Sequence, residues 1–396
     1  MTRLKTLALA AVFLTILGIA APVGAAAAVR FSAVANYWTG GVGGSGWHAH
    51  SVAAADFTGD GRPDVVAADY FAFGPPFLLT NRGDGTFTSP GRSVPAPPAG
   101  PVGIVYTGDF NADGKPDLLL TTDLAVQIDL GRGNGTFTVS YDAVLPQGFQ
   151  DDASIGDLNH DGKLDFVVKT AAGVQSYLGR GNGTFSVGPF SALPAPAVST
   201  SSITLNDFNG DAYPDLAGAN AISQQAFTLY GDGKGGFTAG ASGYVGLGDG
   251  STAVVPGSVV AGDFNHDGRT DLAAIDEFDT GTNSLAVLIC DGHGGFLPAK
   301  HYDAGFADAN AEIADLNGDG NLDIIGSDTL LNNQVVQLGH PDGTFSLGGK
   351  FPVDANPQTP VVADFNGDGR TDIAVVGDGL SGATPLSQLS VLLNES

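Results

Sequence analysis

Residues that anchor a fold covalently or carry positive charge are scarce in this chain of 396 residues. It contains one cysteine, which excludes an intrachain disulfide. Cys290 stands in the apolar segment LAVLICDGHGGF, which predicts a small buried side chain. Only 16 Lys and Arg accompany 42 Asp and Glu, and the formal net charge is −26. Nucleic acids and anionic membranes repel so acidic a protein, so we expect neither as a partner.

Long apolar stretches are also absent, except near the start of the chain. Two basic residues, an apolar stretch from Leu7 to Ile19 and the small residues VGAAAA are typical of a secretory signal, which we assign to residues 1–28. The alternative is an uncleaved membrane anchor, although the apolar stretch is short for a span. We expect a secreted protein, extracellular or periplasmic, without a membrane span after cleavage.

What the sequence does contain is an acidic loop of nine residues, repeated seven times, with successive starts 53, 48, 50, 56, 52 and 49 residues apart. A nearly fixed period of this length indicates a repeat architecture with one supersecondary unit per copy. Loops 1 to 7, in chain order, are DFTGDGRPD (56–64), DFNADGKPD (109–117), DLNHDGKLD (157–165), DFNGDAYPD (207–215), DFNHDGRTD (263–271), DLNGDGNLD (315–323) and DFNGDGRTD (364–372).

The composition of these loops predicts calcium binding. Positions 1, 5 and 9 are Asp in every copy, and position 3 is Asn in six copies and Thr58 in the first. Calcium takes 6–8 oxygen ligands in irregular geometry, which the side chains at positions 1, 3, 5 and 9 and the peptide carbonyl at position 7 can supply together with water. Gly at position 6 permits the sharp turn, where we expect a positive φ.

Calcium is expected at up to seven sites, one per repeat. The site at 207–215 should be the weakest, because Ala212 replaces the glycine and a residue with a side chain at positive φ costs on the order of 1–2 kcal/mol. The predicted ligands are Asp56, Thr58, Asp60, Arg62, Asp64, Asp109, Asn111, Asp113, Lys115, Asp117, Asp157, Asn159, Asp161, Lys163, Asp165, Asp207, Asn209, Asp211, Tyr213, Asp215, Asp263, Asn265, Asp267, Arg269, Asp271, Asp315, Asn317, Asp319, Asn321, Asp323, Asp364, Asn366, Asp368, Arg370 and Asp372.

The loops have three other interpretations. An EF-hand is excluded, because it needs Glu at position 12 and this position holds Ala, Leu, Val or Gly in every copy. Metal-free turns remain an alternative, since Asp, Asn and Gly are common turn residues. They do not explain three mutually repelling Asp at the same spacing in all copies. Magnesium fits less well, because it requires strict octahedral geometry and keeps its waters.

The segments around the loops predict the fold. Short apolar runs such as DVVAA and DLLLT follow the loops and similar runs precede them, as in strands. A second tight turn follows in the first six repeats and leads into a further strand. Four antiparallel strands per repeat of about 50 residues are typical of a propeller blade. These turns end at Phe87, Phe137, Phe185, Phe237, Phe296 and Phe345.

The seventh repeat is incomplete, because Ser396 comes where its fourth strand should begin. The segment VRFSAVANYW near the start of the chain has the spacing of that strand. We therefore predict an all-β fold, one seven-bladed β-propeller over residues 29–396, in which residues 29–38 pair near Leu389–Leu393. Such pairing closes the ring and covers the exposed strand edges.

The loop D-x-[NT]-x-D-G-x-x-D, with a period near 50 and an apolar strand after it, resembles the FG-GAP/VCBS repeats. These build the β-propeller of integrin α subunits and of many secreted bacterial proteins. The resemblance covers about residues 29–396, although the Phe-Gly-Gly-Ala-Pro element survives only as FAFGPP near Phe73. It implies calcium loops on one rim and ligand contacts on the opposite rim or at blade junctions. The similarity in length to a seven-bladed fungal lectin of this class implies carbohydrate binding as one possibility.

No catalytic site is predicted, because the sequence has no nucleophile elbow, phosphate-binding glycine loop or zinc motif. The densest functional cluster is Trp47, His48 and His50 in the connection that enters blade 1. It is read either as a ligand-stacking surface, as a transition-metal site or as ordinary packing. Two further connections, 243–257 and 276–283, are candidate ligand loops or simple spacers.

Three classes of function follow from this sequence. We favour a monomeric binding or adhesion module for an extracellular protein or glycan. The alternatives are a structural domain of the cell surface or matrix, and a polysaccharide-acting enzyme such as a lyase or hydrolase.

Overall fold

The fold is all-β, and the chain is described by a computed structural model. The described residues are 28–39, 49–69, 74–97, 100–145, 152–170, 172–194, 200–220, 222–245, 256–276, 284–292, 295–306, 311–377 and 387–396. They form 28 strands in seven separate four-stranded antiparallel sheets. No helix that could span a membrane occurs among them.

Each sheet is one blade of a seven-bladed propeller. Blades 1 to 3 comprise β2 (Ala49–Ala55), β3 (Asp64–Asp69), β4 (Phe77–Leu79) and β5 (Arg92–Ser93); β6 (Ile104–Gly108), β7 (Asp117–Thr121), β8 (Ala125–Gly131) and β9 (Phe137–Val144); and β10 (Ala153–Gly156), β11 (Asp165–Thr170), β12 (Gly173–Gly179) and β13 (Phe185–Ala192). Blades 4 and 5 comprise β14 (Thr200–Asn206), β15 (Asp215–Asn220), β16 (Gln225–Gly231) and β17 (Phe237–Tyr244); and β18 (Pro256–Gly262), β19 (Asp271–Asp276), β20 (Leu285–Leu288) and β21 (Lys300–Tyr302).

Blades 6 and 7 complete the ring. They comprise β22 (Ala311–Ala314), β23 (Asp323–Asp328), β24 (Asn333–Gly339) and β25 (Phe345–Pro352); and β26 (Pro360–Ala363), β27 (Asp372–Gly377) and β28 (Gln388–Leu392) with β1 (Ala35–Trp38) as the fourth strand. The predicted fold class is therefore confirmed, including the closing strand. Ala35 pairs with Val391 and Trp38 with Gln388, and an isolated bridge joins Phe31 to Asn394.

The acidic loops and the second tight turns lie at the same rim of the ring. Each acidic loop joins the first strand of its blade to the second, and each second turn joins the third strand to the fourth. Because the strands of a blade are antiparallel, these two connections share one rim, which we call the loop rim. The opposite ends of these strands, where first strands begin and second strands end, define the opposite rim.

Two blades have shorter outer strands than the sequence pattern predicts. The fourth strand has eight residues in blades 2, 3, 4 and 6 but two in blade 1 and three in blade 5. In both short blades a proline, Pro90 or Pro298, stands between the turn phenylalanine and the strand. Proline has no N–H for the ladder, so regular pairing begins only after it.

Blades pack on one another through apolar side chains that alternate along the second and third strands. Leu118 and Leu120 pack toward blade 1, whereas Leu119 packs toward blade 3. At the loop rim, the residue at position 2 of a loop packs against the turn phenylalanine of the next blade. Their rings meet edge to face in pairs such as Phe57–Phe137 at 5.6 Å and Phe365–Phe87, across the closure, at 5.6 Å. The recurring turn phenylalanine is therefore an inter-blade contact.

Blade 2 contains a carboxyl group that is buried and only partly hydrogen-bonded. Asp129 in β8 is 0% exposed, Gln127 Nε2 donates to its Oδ1 at 2.8 Å, and its Oδ2 has no hydrogen-bond partner among the described residues. Burial disfavours the charged form and raises the pKa of Asp129 to about 7. The proton is thus bound more tightly in the folded state than in the unfolded chain, where the pKa is about 4.

The Asp129→Asn variant should be more stable than the wild type at pH 8, and this advantage should shrink toward pH 5. Because the pKa is raised, the stabilising contribution of Asp129 is present below about pH 4 and is lost as the pH rises through about 7. At about 1.36 kcal/mol per pKa unit, the gain at pH 8 is at most about 4 kcal/mol. Urea unfolding in constant excess calcium measures it. The exposed Asp142→Asn on β9 is the control, and equal gains for both variants would contradict the prediction.

Candidate functional site

The first Asp of each loop gathers backbone N–H groups of its own turn. In loop 1, Asp56 Oδ1 accepts from Gly59 N at 2.7 Å and Asp60 N at 3.0 Å, and its Oδ2 accepts from Gly61 N at 2.8 Å. The bond from the position-6 N–H to the first Asp occurs in all seven loops, at 2.8–2.9 Å. The loops therefore share one conformation.

The side-chain oxygens at positions 1 and 3 lie on the same side of the loop. In loop 2, the N–H of Asp113 is shared between Asp109 Oδ1 at 3.1 Å and Asn111 Oδ1 at 3.0 Å. Loops 3, 5, 6 and 7 repeat this shared donor. Two oxygens held by one N–H are near neighbours, so positions 1 and 3 converge as the sequence predicts.

The Asp at position 9 is buried and fastens the loop to the second turn of its blade. Asp117 is 0% exposed; its Oδ2 accepts from Phe110 N at 2.8 Å and its Oδ1 accepts from Gly131 N, at the end of β8, at 2.8 Å. Burial raises the pKa of Asp117 to about 6, although these two N–H groups act in the opposite direction. The bond to the end of the third strand occurs in all seven blades. Position 9 therefore has a structural role that the sequence does not reveal.

Position 5 is exposed, and in five loops its carboxylate pairs with the Arg or Lys at position 7. The pairs are Arg62–Asp60, Lys115–Asp113 at 3.0 Å, Lys163–Asp161 at 2.8 Å, Arg269–Asp267 at 3.3 Å and Arg370–Asp368 at 3.1 Å. Surface pairs of this kind are worth about 0–1 kcal/mol, so they compete weakly with a divalent cation.

The donor set of the loops fits a hard cation. Every predicted ligand atom is an oxygen, and positions 1 and 3 already converge. Within the described residues, no group of three or more His, Cys, Asp or Glu side chains is placed to hold a metal ion. In loops 4 to 7 the side-chain amide at position 3 donates to the position-5 carboxylate, so position 5 lies beside position 3. The position-5 carboxylate is exposed in every loop and is therefore open to a cation.

Position 6 has the positive φ that the sequence predicts, but position 4 has it as well. Ala212 has φ 72°, and the six position-6 glycines have φ 80–87°. At position 4, Ala112, His160 and His266 have φ 56–60°, in loops 2, 3 and 5. Loops 1, 6 and 7 have glycine at both positions and carry no such strain. The positive φ at position 4 has a weaker signal in the sequence, where this position holds Gly, Ala or His.

The Ala212→Gly variant should bind calcium about fivefold more tightly at loop 4, because removing one strained residue is worth about 1 kcal/mol. Correspondingly, Asp211→Ala should cost less calcium affinity than Asp368→Ala, because loop 7 has glycine at both positive-φ positions. Site occupancies from anomalous diffraction at limiting calcium measure this ranking. Ala112→Gly is the matched control and should tighten loop 2 only. Equal occupancy of all loops in the wild type would contradict the ranking.

The predicted ligand cluster at the opposite rim is only partly within the described chain. Trp47 and His48 lie outside the described residues, as do the side chain of His50 and most of 243–257 and 276–283. The backbone of His50 is in β2, which runs from the opposite rim into loop 1. The hypothesis of a ligand surface there stays a prediction.

A cleft of about 370 Å³ lies at the junction of blades 1 and 2. Pro75, Pro95 and Phe137 are its apolar lining residues, and Arg92 is its charged one. Both residues of the short strand β5, Arg92 and Ser93, line this cleft. Arg92 forms no ion pair within the described part of the chain, so its guanidinium is available to a ligand. The sequence offered one signal of this site, the proline that shortens the outer strand.

The repeats of this chain match a known family. A family model described as an FG-GAP-like repeat matches six times, at residues 56–120, 109–168, 157–218, 207–274, 263–326 and 315–375. No curated protein matches the sequence.

Among solved structures, an Agrocybe aegerita lectin is 22% identical with a TM-score of 0.51, and the match covers 74% of this chain and 77% of the lectin. BBS1N, solved in complex with ARL6DN, is 12% identical with a TM-score of 0.57, covering 92% of this chain and 97% of that one. At these identities the similarity is one of fold.

Proposed function

Because this chain belongs to the FG-GAP-like repeat family, we propose that it is a secreted, calcium-stabilised β-propeller that binds an extracellular glycan or protein. Residues at positions 1, 3, 5, 7 and 9 of the loops would hold calcium, which when bound neutralises the acidic side chains. The chain's own residues orient these ligands, through the N–H groups at positions 4 to 6 and through the buried Asp at position 9.

The cleft between blades 1 and 2 is the observation that carries a glycan ligand. Its volume of about 370 Å³ falls in the range of small-molecule sites. Phe137 and the two prolines can contact the apolar face of a sugar ring, and the fork of Arg92 can donate to hydroxyl or carboxylate oxygens. The lectin of the same fold, which recognises non-reducing terminal N-acetylglucosamine, supports a sugar as the ligand class. The opposite rim, where Trp47 is predicted, remains a second candidate surface.

A glycan array and a pull-down with extracellular proteins test this proposal, each in 2 mM calcium and in EDTA. We expect binding in calcium, an at least tenfold loss with Arg92→Ala and partial retention with Arg92→Lys, since Lys keeps the charge without the fork. Arg132→Ala, an exposed arginine of the neighbouring turn, is the control. All variants should melt within about 2 °C of the wild type.

Other outcomes are decisive as well. Loss of binding with Trp47→Ala but not with Arg92→Ala would move the site to the opposite rim. Absence of any ligand in both assays would favour a structural domain. Cleavage of a polysaccharide that survives both substitutions would favour the enzymatic alternative.

A further inference from the structure

Two histidines connect neighbouring loops at the loop rim. His160 and His266 occupy position 4 of loops 3 and 5, and no other loop has His there. Position 7 is Arg or Lys in five loops, and its two exceptions are Tyr213 and Asn321, in loops 4 and 6. Loops 4 and 6 each directly follow a loop with histidine at position 4. None of the five loops with Arg or Lys at position 7 does so. The two positions therefore change together along the ring.

The contact between loops 5 and 6 is a chain of hydrogen bonds. His266 Nε2 lies 2.8 Å from Asn321 Oδ1, and Asn321 Nδ2 donates to Asp319 Oδ1 at 2.7 Å. Asp319 is the position-5 ligand of loop 6, and the side chain of Asn321 is buried. His266 itself stands between Asn265 and Asp267, two predicted ligands of loop 5. The chain thus runs from ligands of one loop to a ligand of the next.

Loops 3 and 4 contact each other through two aromatic rings, those of His160 and Tyr213. The ring centroids of His160 and Tyr213 are 4.9 Å apart, with an interplanar angle of 40°. The backbone N–H of Tyr213 donates to Asp211 Oδ1 at 2.8 Å, and Asp211 is the position-5 ligand of loop 4. Tyr213 also directly follows the strained Ala212. Packing against His160 therefore holds the segment around Ala212, which replaces the glycine of position 6.

Arg or Lys at position 7 could not make these contacts between loops. In the other five blades it pairs within its own loop, with the carboxylate at position 5. Tyr213 and Asn321 instead reach the preceding loop. Asn321 is suited to this because its amide both accepts from His266 and donates to Asp319, whereas Lys or Arg only donates.

We infer that His160 and His266 are positioning residues that join the loops into two pairs, 157–165 with 207–215 and 263–271 with 315–323, so that calcium in the first loop of a pair strengthens binding in the second. This inference rests on the proposed calcium binding. Calcium in loop 5 fixes Asn265 and Asp267 and hence His266 between them, which orients Asn321 and Asp319. Side chains that orient metal ligands from outside typically contribute about 10–100-fold in affinity.

The test compares wild type, His160→Ala and His266→Ala, with His340→Ala as the control. His340 lies at the loop rim, and among the described residues its ring bonds to Ser346 Oγ of the same blade, at 2.8 Å. Occupancies of the individual sites are measured by anomalous diffraction over a calcium series. We expect His266→Ala to weaken site 6 about tenfold and His160→Ala to weaken site 4 about tenfold. Sites 1, 2 and 7 should be unchanged in both.

A second substitution keeps the result interpretable. Asn321→Lys restores the pairing found in five loops, so in its presence His266→Ala should no longer affect site 6. If the wild type fills its sites but His266→Ala leaves site 6 unchanged, or weakens all sites equally, the pairing is overturned and calcium binding stands. If no site takes calcium in the wild type, both the pairing and the proposed function fail.

Discussion

EDTA is expected to lower the melting temperature of this protein sharply, and restored calcium is expected to reverse the change. Extracellular calcium sites often have dissociation constants of about 10⁻⁴–10⁻³ M. A site of 10⁻⁴ M in millimolar calcium adds roughly 1.4 kcal/mol by mass action. Seven independent sites would together add up to about 10 kcal/mol. This exceeds the effect expected from any single substitution considered above.

The physical reason lies in the charge of the loops. Each loop places three Asp within nine residues, and only five loops have a cation partner for position 5. The measurement is calorimetry in calcium, in EDTA, and in EDTA followed by excess calcium. Magnesium at equal concentration is the control and should restore little. An unchanged melting temperature in EDTA would rule out the metal assignment.

Removing the closing strand should have the second largest effect. A chain that begins at Gly41 lacks β1, which pairs with β28, and also lacks Phe31, whose ring packs edge to face on Phe351 at 4.7 Å. The buried Val29 is lost as well. The loss of apolar packing alone is on the order of 5 kcal/mol. Blade 7 would keep three strands and expose the edge of β28.

We expect this shortened chain to aggregate or to melt far below the full protein, because an unpaired edge strand invites pairing with other chains. A chain that begins at Ala28 is the control, since it retains β1. Light scattering and thermal unfolding in calcium distinguish the two. A monomer beginning at Gly41 with a normal melting temperature would show that β1 does not hold the ring closed.

The repeat made most of the fold predictable from the sequence. A period of about 50 residues with two turn signals specifies four strands, and the incomplete seventh repeat specifies β1 as its partner. Cys290 is buried as predicted. The repeat pattern does not predict the short outer strands of blades 1 and 5, because one proline shifts the start of pairing without altering the turn before it.

The candidate site was less predictable, since its contacts cross between repeats. The convergence of positions 1 and 3 follows from the nine-residue pattern alone. The bond from position 9 to the end of the third strand, and the contact of His266 with Asn321, join residues from separate segments. The contacts of the two histidines have a signal in the sequence, because Tyr213 and Asn321 replace Arg or Lys in the loop after each histidine. The bond of position 9 has none.

Both ends of the described chain emerge at the loop rim. Glu395 N donates to Arg30 O at 2.7 Å, and Asn394 N donates to Asp372 Oδ1, at position 9 of loop 7, at 2.6 Å. A tether joined to either end would therefore orient the propeller in the same way. The loop rim would face the support, and the opposite rim, where Trp47 and His48 are predicted, would be directed outward. Immobilising the protein by either end should leave that face equally accessible.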